Sequence, residues 1–195
     1  MTGNASRAIL IQGTIIFLNL FSNDTALILY NSIRLILNGI KQFINILTLS
    51  FQPEITIDYA KKNFKKILNK FRFLLKYNFY ISSIAMIVLL LFLKEPFLIW
   101  TKGNIVWDFN FFILFLVASY IEWLNIPNAS IPYSINKAEM LNKAFIFLLV
   151  IYFAILASLF GLQSIMAIPI ALIIANLYFY FYSRVVLKKI IFFKT

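Results

Sequence analysis

Two cations and five carboxamides occupy one stripe of an apolar segment that spans positions 25 to 52. Asn31, Arg34, Asn38, Lys41, Gln42, Asn45 and Gln52 follow one another at spacings of 3, 4, 3, 1, 3 and 7 residues. At about 100° per residue, a helix gathers all seven into an arc of about 100°. Leu27, Leu29, Ile33, Ile36, Leu37, Ile40, Phe43, Ile44 and Leu47 supply apolar surface for lipid or for neighbouring helices. A cation at the centre of a membrane helix costs roughly 2.5–3.5 kcal/mol, so such residues face a bundle interior or a wet cavity. A guanidinium and an ammonium flanked by amides suit phosphate oxygens. The stripe is therefore expected to line a path for an anionic substrate.

Glu122 is the one acid placed well inside an apolar span. Counting about 1.5 Å per residue from the outer ends of their spans puts Lys41 about 24 Å inward and Glu122 about 20 Å inward. The two can pair if their helices adjoin; alternatively Glu122 reaches the cytoplasmic interface beside Trp123, Asn125 and Pro127. The remaining close acids, Glu54 and Asp58, sit among lysines, and Asp58 is expected to pair with Lys61 or Lys62.

The chain has no Cys, no His and only seven acidic residues, so thiol chemistry and a zinc or di-iron centre are not expected. It has no Gly-rich phosphate loop, and no acid or base stands beside the stripe to serve catalysis. The sequence predicts neither an enzyme nor a cofactor.

These residues need membrane helices to position them. The composition is 62% hydrophobic with mean hydropathy +0.88, well beyond a soluble domain. Six candidate spans lie at about 8–21, 25–50, 73–93, 108–126, 144–160 and 163–183, in one membrane domain covering 1–195. Gly161-Leu162-Gln163 would make a tight turn between the last two. The fold class expected is an all-α integral membrane protein, a six-helix transmembrane bundle.

The basic residues orient it. Arg7, Lys61, Lys62, Lys65, Lys66, Lys70, Arg72, Lys76, Lys137, Lys143, Arg184, Lys188, Lys189 and Lys194 fall on one side, against Lys94 and Lys102 on the other. Both termini are accordingly expected in the cytoplasm. The net charge of +11 reads as cytoplasmic loops beside anionic lipid rather than as nucleic-acid binding. Trp100 and Trp107 are expected at the outer headgroup level, and Trp123 with the run 178–182 at the inner one. Between spans two and three, Phe64, Ile67, Leu68, Phe71 and Leu75 alternate with lysines, predicting a cytoplasmic amphipathic helix over about 54–72. Ala167, Ala171 and Ala175, and Ala154 with Ser158, offer small-residue packing faces, and Pro169 is expected to bend span six.

Several segments together resemble a known family. Tyr30-Asn31-Ser32-Ile33-Arg34 within a span, Gln52-Pro53-Glu54, Asp58-Tyr59-Ala60 opening a Lys-rich stretch, Pro96-Phe97-Leu98-Ile99-Trp100 and Asn142-Lys143 stand in the order and spacing of the second lobe of polysaccharide flippases. These are the O-antigen and teichoic-acid type exporters of the multidrug/oligosaccharidyl-lipid/polysaccharide superfamily. The resemblance covers essentially the whole chain and rests on order rather than on any strict motif.

It implies a two-lobe fold around a cationic cavity in the bacterial inner membrane. Members move undecaprenyl-pyrophosphate-linked glycans by alternating access without ATP. Arg34 and Lys41 would meet the pyrophosphate, with Asn31, Asn38, Gln42 and Asn45 beside them and Glu122 as counter-ion. The chain corresponds to one lobe, so an N-terminal lobe or a second copy is expected to complete the cavity. A drug/cation antiporter of the same superfamily, whose cavity would be acidic or apolar, and a non-catalytic membrane subunit are the alternatives.

Overall fold

The computed structural model describes the backbone of residues 2–22, 24–103 and 105–192, and the side chains of 8–22, 24–103, 105–160 and 165–190. Arg7 and Lys194 of the basic asymmetry lie outside the described side chains. Among the described residues eight α-helices follow one another: α1 (Thr2–Phe21), α2 (Asp24–Ala60), α3 (Phe64–Phe92), α4 (Lys94–Trp100), α5 (Phe109–Leu124), α6 (Ile126–Ser134), α7 (Glu139–Gln163) and α8 (Ala167–Phe192). A single 3₁₀ turn, Ser164–Met166, reverses the chain between the last two, three residues later than the Gly161–Gln163 turn expected.

Among the described residues, four stretches are long and apolar enough to cross a membrane: Phe64–Phe92, Phe109–Ser134, Glu139–Phe160 and Ala167–Ile190. The expected count of six is not reached on length and composition. The described part of α1, Ala8–Phe21, is apolar but short. In α2 the polar stripe itself lowers the hydropathy of a 37-residue helix.

Contacts between the long helices run α1–α7–α8–α5–α3–α2 and return to α1, and α2 also touches α5. Leu18, Ile33, Leu74, Leu116, Tyr152 and Ile168 belong to a continuous core between them. Outward faces remain apolar, with Leu35, Phe43, Ile84, Leu91, Phe147 and Val150 all exposed, as lipid-facing surfaces require. Ala167, Ala171 and Ala175 are fully buried, which permits the close approach of α8 to its neighbours, whereas Ala154 and Ser158 are exposed. At Gly13 the approach of α1 to α7 is so close that an added Cβ would stand 2.5 Å from the Phe153 ring.

The segment expected to be one amphipathic helix over about 54–72 is two helix ends and a turn. α2 runs through Pro53 to Ala60, and α3 begins at Phe64. Lys62 takes φ +55°, Asn63 N–H donates to Asp58 C=O and Lys62 N–H to Tyr59 C=O, the paired bonds that close a helix C-terminus. Asn63 then caps α3 by accepting from Lys66 N–H. Asp58 pairs with Lys70 at 2.8 Å rather than with Lys61 or Lys62, because the turn brings α3 back beside α2. Lys70 also meets Glu54 at 2.7 Å.

Three prolines lie in a first helical turn: Pro96 of α4, Pro127 of α6 and Pro169 of α8. Pro127 lies in the first turn of α6, where its missing N–H has no helical partner to lose, and the chain breaks at Asn125 between α5 and α6. Pro169 is the third residue of α8, so it opens the helix and does not bend it midway as expected.

Trp123 does not present its ring to the outside of the bundle as expected. It is 0% exposed, and its backbone carbonyl accepts from Asn78 Nδ2 at 2.8 Å. Trp100 is exposed and Trp107 half-buried against Phe97 and Phe112. Within 178–182, Phe179 is buried on Phe145 while Phe181 is exposed, so the run serves core and surface alternately.

Candidate functional site

The stripe occupies a shoulder of α2, neither wholly inside nor facing away from the bundle. The buried residues of this helix are Leu29, Tyr30, Ile33, Leu37, Ile44, Thr48, Ile55 and Asp58. At about 100° per residue their mean direction lies about 100° around the helix from the centre of the stripe. Arg34 and Lys41 stand on the stripe's inner edge and turn toward the core. Asn31, Arg34, Asn38, Lys41 and Asn45 are half-buried, and Gln42 on the outer edge is exposed.

A cavity of about 100 Å³ opens between four helices at this edge. Leu10 and Ile11 of α1, Tyr30, Arg34, Leu37, Asn38 and Lys41 of α2, Phe115, Ala118, Ser119 and Glu122 of α5, and Leu172 and Asn176 of α8 line it. A second cavity of about 50 Å³ shares Leu10, Glu122 and Asn176 with the first and continues toward Asn125, Ile126 and Phe145. Glu122 therefore borders both.

Lys41 Nζ and Glu122 Oε1 form an ion pair, so the two depths estimated from sequence coincide and the helices do adjoin. The pair is part-exposed, at 19% for the Lys41 side chain and 34% for Glu122. Arg34 has a different environment. Its Nη2 donates to Asn31 Oδ1 at 3.1 Å, and its guanidinium carbon sits 5.7 Å from the centroid of the Tyr30 ring. The Arg34 Nε is buried and has no partner among the described residues. A buried N–H of a charged group without an acceptor is costly, so the site has unmet capacity for an anion or for water.

Aromatic and polar contacts hold Arg34 in place. The Tyr30 ring lies parallel to Phe115 of α5 at 5.6 Å. Thr14 of α1 and Tyr152 of α7 hydrogen-bond at 2.7 Å, and both are buried. The α5–α6 break below Glu122 is held by Asn125, whose Oδ1 accepts from Ser183 Oγ at 2.6 Å and from Asn128 Nδ2 at 3.1 Å. Asn176 Nδ2 donates to Ala118 C=O at 3.0 Å, tying α8 to α5 at the cavity wall.

Of the sequence-predicted site residues, the structure brings Arg34, Asn38, Lys41 and Glu122 to one cavity, with Asn31 joined through Arg34. Gln42 and Asn45 do not line it. Tyr30, Ser119 and Asn176 do, and sequence reasoning missed them. Asn176 had a signal, being an amide inside the apolar run of the last span. Tyr30 and Ser119 had none beyond helical position. No group of three or more Cys, His, Asp or Glu is placed to hold a metal among the described residues.

No protein-family model, no curated protein and no solved structure matches this chain.

Proposed function

We propose that this chain is one lobe of a flippase for lipid-linked anionic glycans. It would carry an undecaprenyl-pyrophosphate-linked oligosaccharide or polysaccharide across a bacterial inner membrane by alternating access. In this reading α1 and α2 add two crossings to the four strongly apolar ones, and both termini are cytoplasmic.

The observation that carries the reading is Arg34. It is a membrane-helix guanidinium on a cavity wall, oriented by Asn31 and Tyr30, with a buried Nε that lacks an acceptor among the described residues. A pyrophosphate supplies oxygens for Nε and Nη together, in the bidentate geometry that Lys cannot reproduce. Lys41 is paired with Glu122 and joins the phosphate when that pair opens. The half-open shoulder of α2 supports a cavity completed by an N-terminal lobe or a second copy, because amides left facing lipid are unfavourable.

Glu122 is the feature that a drug/cation antiporter would use. Its pairing with Lys41, and the second cation at Arg34, favour an anionic substrate instead. The deciding experiment is complementation of a glycan-export-deficient strain, with the other lobe supplied. Arg34→Ala should abolish export while leaving membrane insertion intact, and full export by a stably expressed Arg34→Ala protein would remove the reading.

A further inference from the structure

We propose that the tip of the α2–α3 hairpin is a binding platform for anionic phospholipid headgroups of the leaflet it faces. Lys61, Lys62, Lys65 and Lys66 crowd this tip, and all four are exposed. None makes an ion pair among the described residues. The acids that would otherwise neutralise them, Glu54 and Asp58, are both taken by Lys70, at 2.7 and 2.8 Å. A single lysine thus withdraws two carboxylates and leaves four ammonium groups for an external anion.

The tip is also pre-shaped. The closing bonds from Asn63 N–H to Asp58 C=O (2.9 Å) and from Lys62 N–H to Tyr59 C=O (3.0 Å) set the turn. Phe64 meets the Tyr59 ring edge-on at 6.1 Å, and Thr56 Oγ1 donates to Ser134 C=O at 2.7 Å, which anchors the hairpin to the end of α6. Lys137 adds a fifth cation 5.9 Å from the Tyr59 ring. About 10 and 16 Å along α3 from Lys66, Phe73 and Tyr77 are exposed. Arg72 and Lys76 are exposed beside these rings, and cations interleaved with amphipathic aromatic rings suit the headgroup level of an anionic leaflet. The proposal concerns the leaflet lipid and holds whether or not the chain transports a glycan.

The test is native mass spectrometry of the purified full chain in detergent with equal parts phosphatidylcholine and phosphatidylglycerol. Wild type should retain phosphatidylglycerol selectively. A variant with Lys61, Lys62, Lys65 and Lys66 all changed to Gln should bind it more than about a hundredfold more weakly. A charge-matched variant, with Lys143, Arg184, Lys188 and Lys189 changed to Gln, should bind it much as wild type does. Lys62→Gly, which suits the left-handed backbone at that turn and cannot break it, should weaken retention about fivefold. Unchanged retention in the tip variant and in Lys62→Gly, or equal losses in the tip and matched variants, would overturn the platform.

Discussion

Lys41 of α2 and Glu122 of α5 form an ion pair at the point where two adjoining cavities meet. Each charge makes the other tolerable at that depth. A membrane-embedded charge without its partner is expensive, so the pair should behave as a unit. Lys41→Met and Glu122→Gln should each lower thermal stability, by roughly 1–3 kcal/mol given the part-exposed setting. The double variant should be more stable than the less stable single variant. Additive losses in a double-mutant cycle would show that the pair carries no coupling.

For the flippase proposed above, Arg34 should be sensitive to every replacement. Arg34→Lys retains charge but loses the planar fork and its face-on contact with Tyr30, so export should fall by roughly tenfold to a hundredfold, at about 1.4 kcal/mol per tenfold. Arg34→Ala should abolish it. Measuring export against protein level in the membrane separates this from loss of folding. Equal export by Arg34→Lys and wild type would mean that only charge matters.

Lys70→Met should loosen the α2–α3 hairpin, because it removes the ammonium that pairs with the buried Asp58 carboxylate and with Glu54. The expected loss is about 1–3 kcal/mol. Adding Asp58→Asn should restore part of it. Thermal melting of the three proteins reads this directly, and a Lys70→Met protein as stable as wild type would deny the clamp any structural role.

Topology is open to a simple test because the chain contains no native Cys. Single cysteines at positions 24, 102 and 162 should react with an impermeant maleimide from outside intact cells. Cysteines at 62 and 138 should react only after permeabilisation. Outside labelling at 62 would reverse the orientation drawn from the basic residues.

Thr14 and Tyr152 fasten α1 to α7 through a buried 2.7 Å hydrogen bond. Tyr152→Phe removes it with little change in volume and leaves the Thr14 hydroxyl bonded to Leu10 C=O. Double-mutant cycles within membranes average about 0.6 kcal/mol for such bonds, so the loss should be of that order. Gly13→Leu should cost more, since the larger side chain must displace the Phe153 ring. If Gly13→Leu melts no lower than Tyr152→Phe, the close approach at Gly13 contributes nothing.

What the sequence determined by itself is periodic or compositional. An all-helical membrane protein follows from hydropathy, since only helices or closed barrels satisfy backbone groups in lipid. The stripe on α2 follows from spacing, and the similar depth of Lys41 and Glu122 from a fixed rise per residue. Tertiary structure decided the rest. Whether Lys41 and Glu122 adjoin depends on which helices are neighbours, which no single-helix pattern contains. The capture of Asp58 by Lys70 instead of Lys61 or Lys62 depends on a turn whose left-handed residue is a lysine, not the glycine that would have announced it. Trp123 went inside because the break at Asn125 returns α6 against α2 and α3, whereas its composition alone suggested a headgroup position. The direction of the stripe, a shoulder with Arg34 and Lys41 on its inner edge, was set by the packing of α1, α5 and α8 around it. Periodicity fixes angles within one helix; only contacts between helices fix where those angles point.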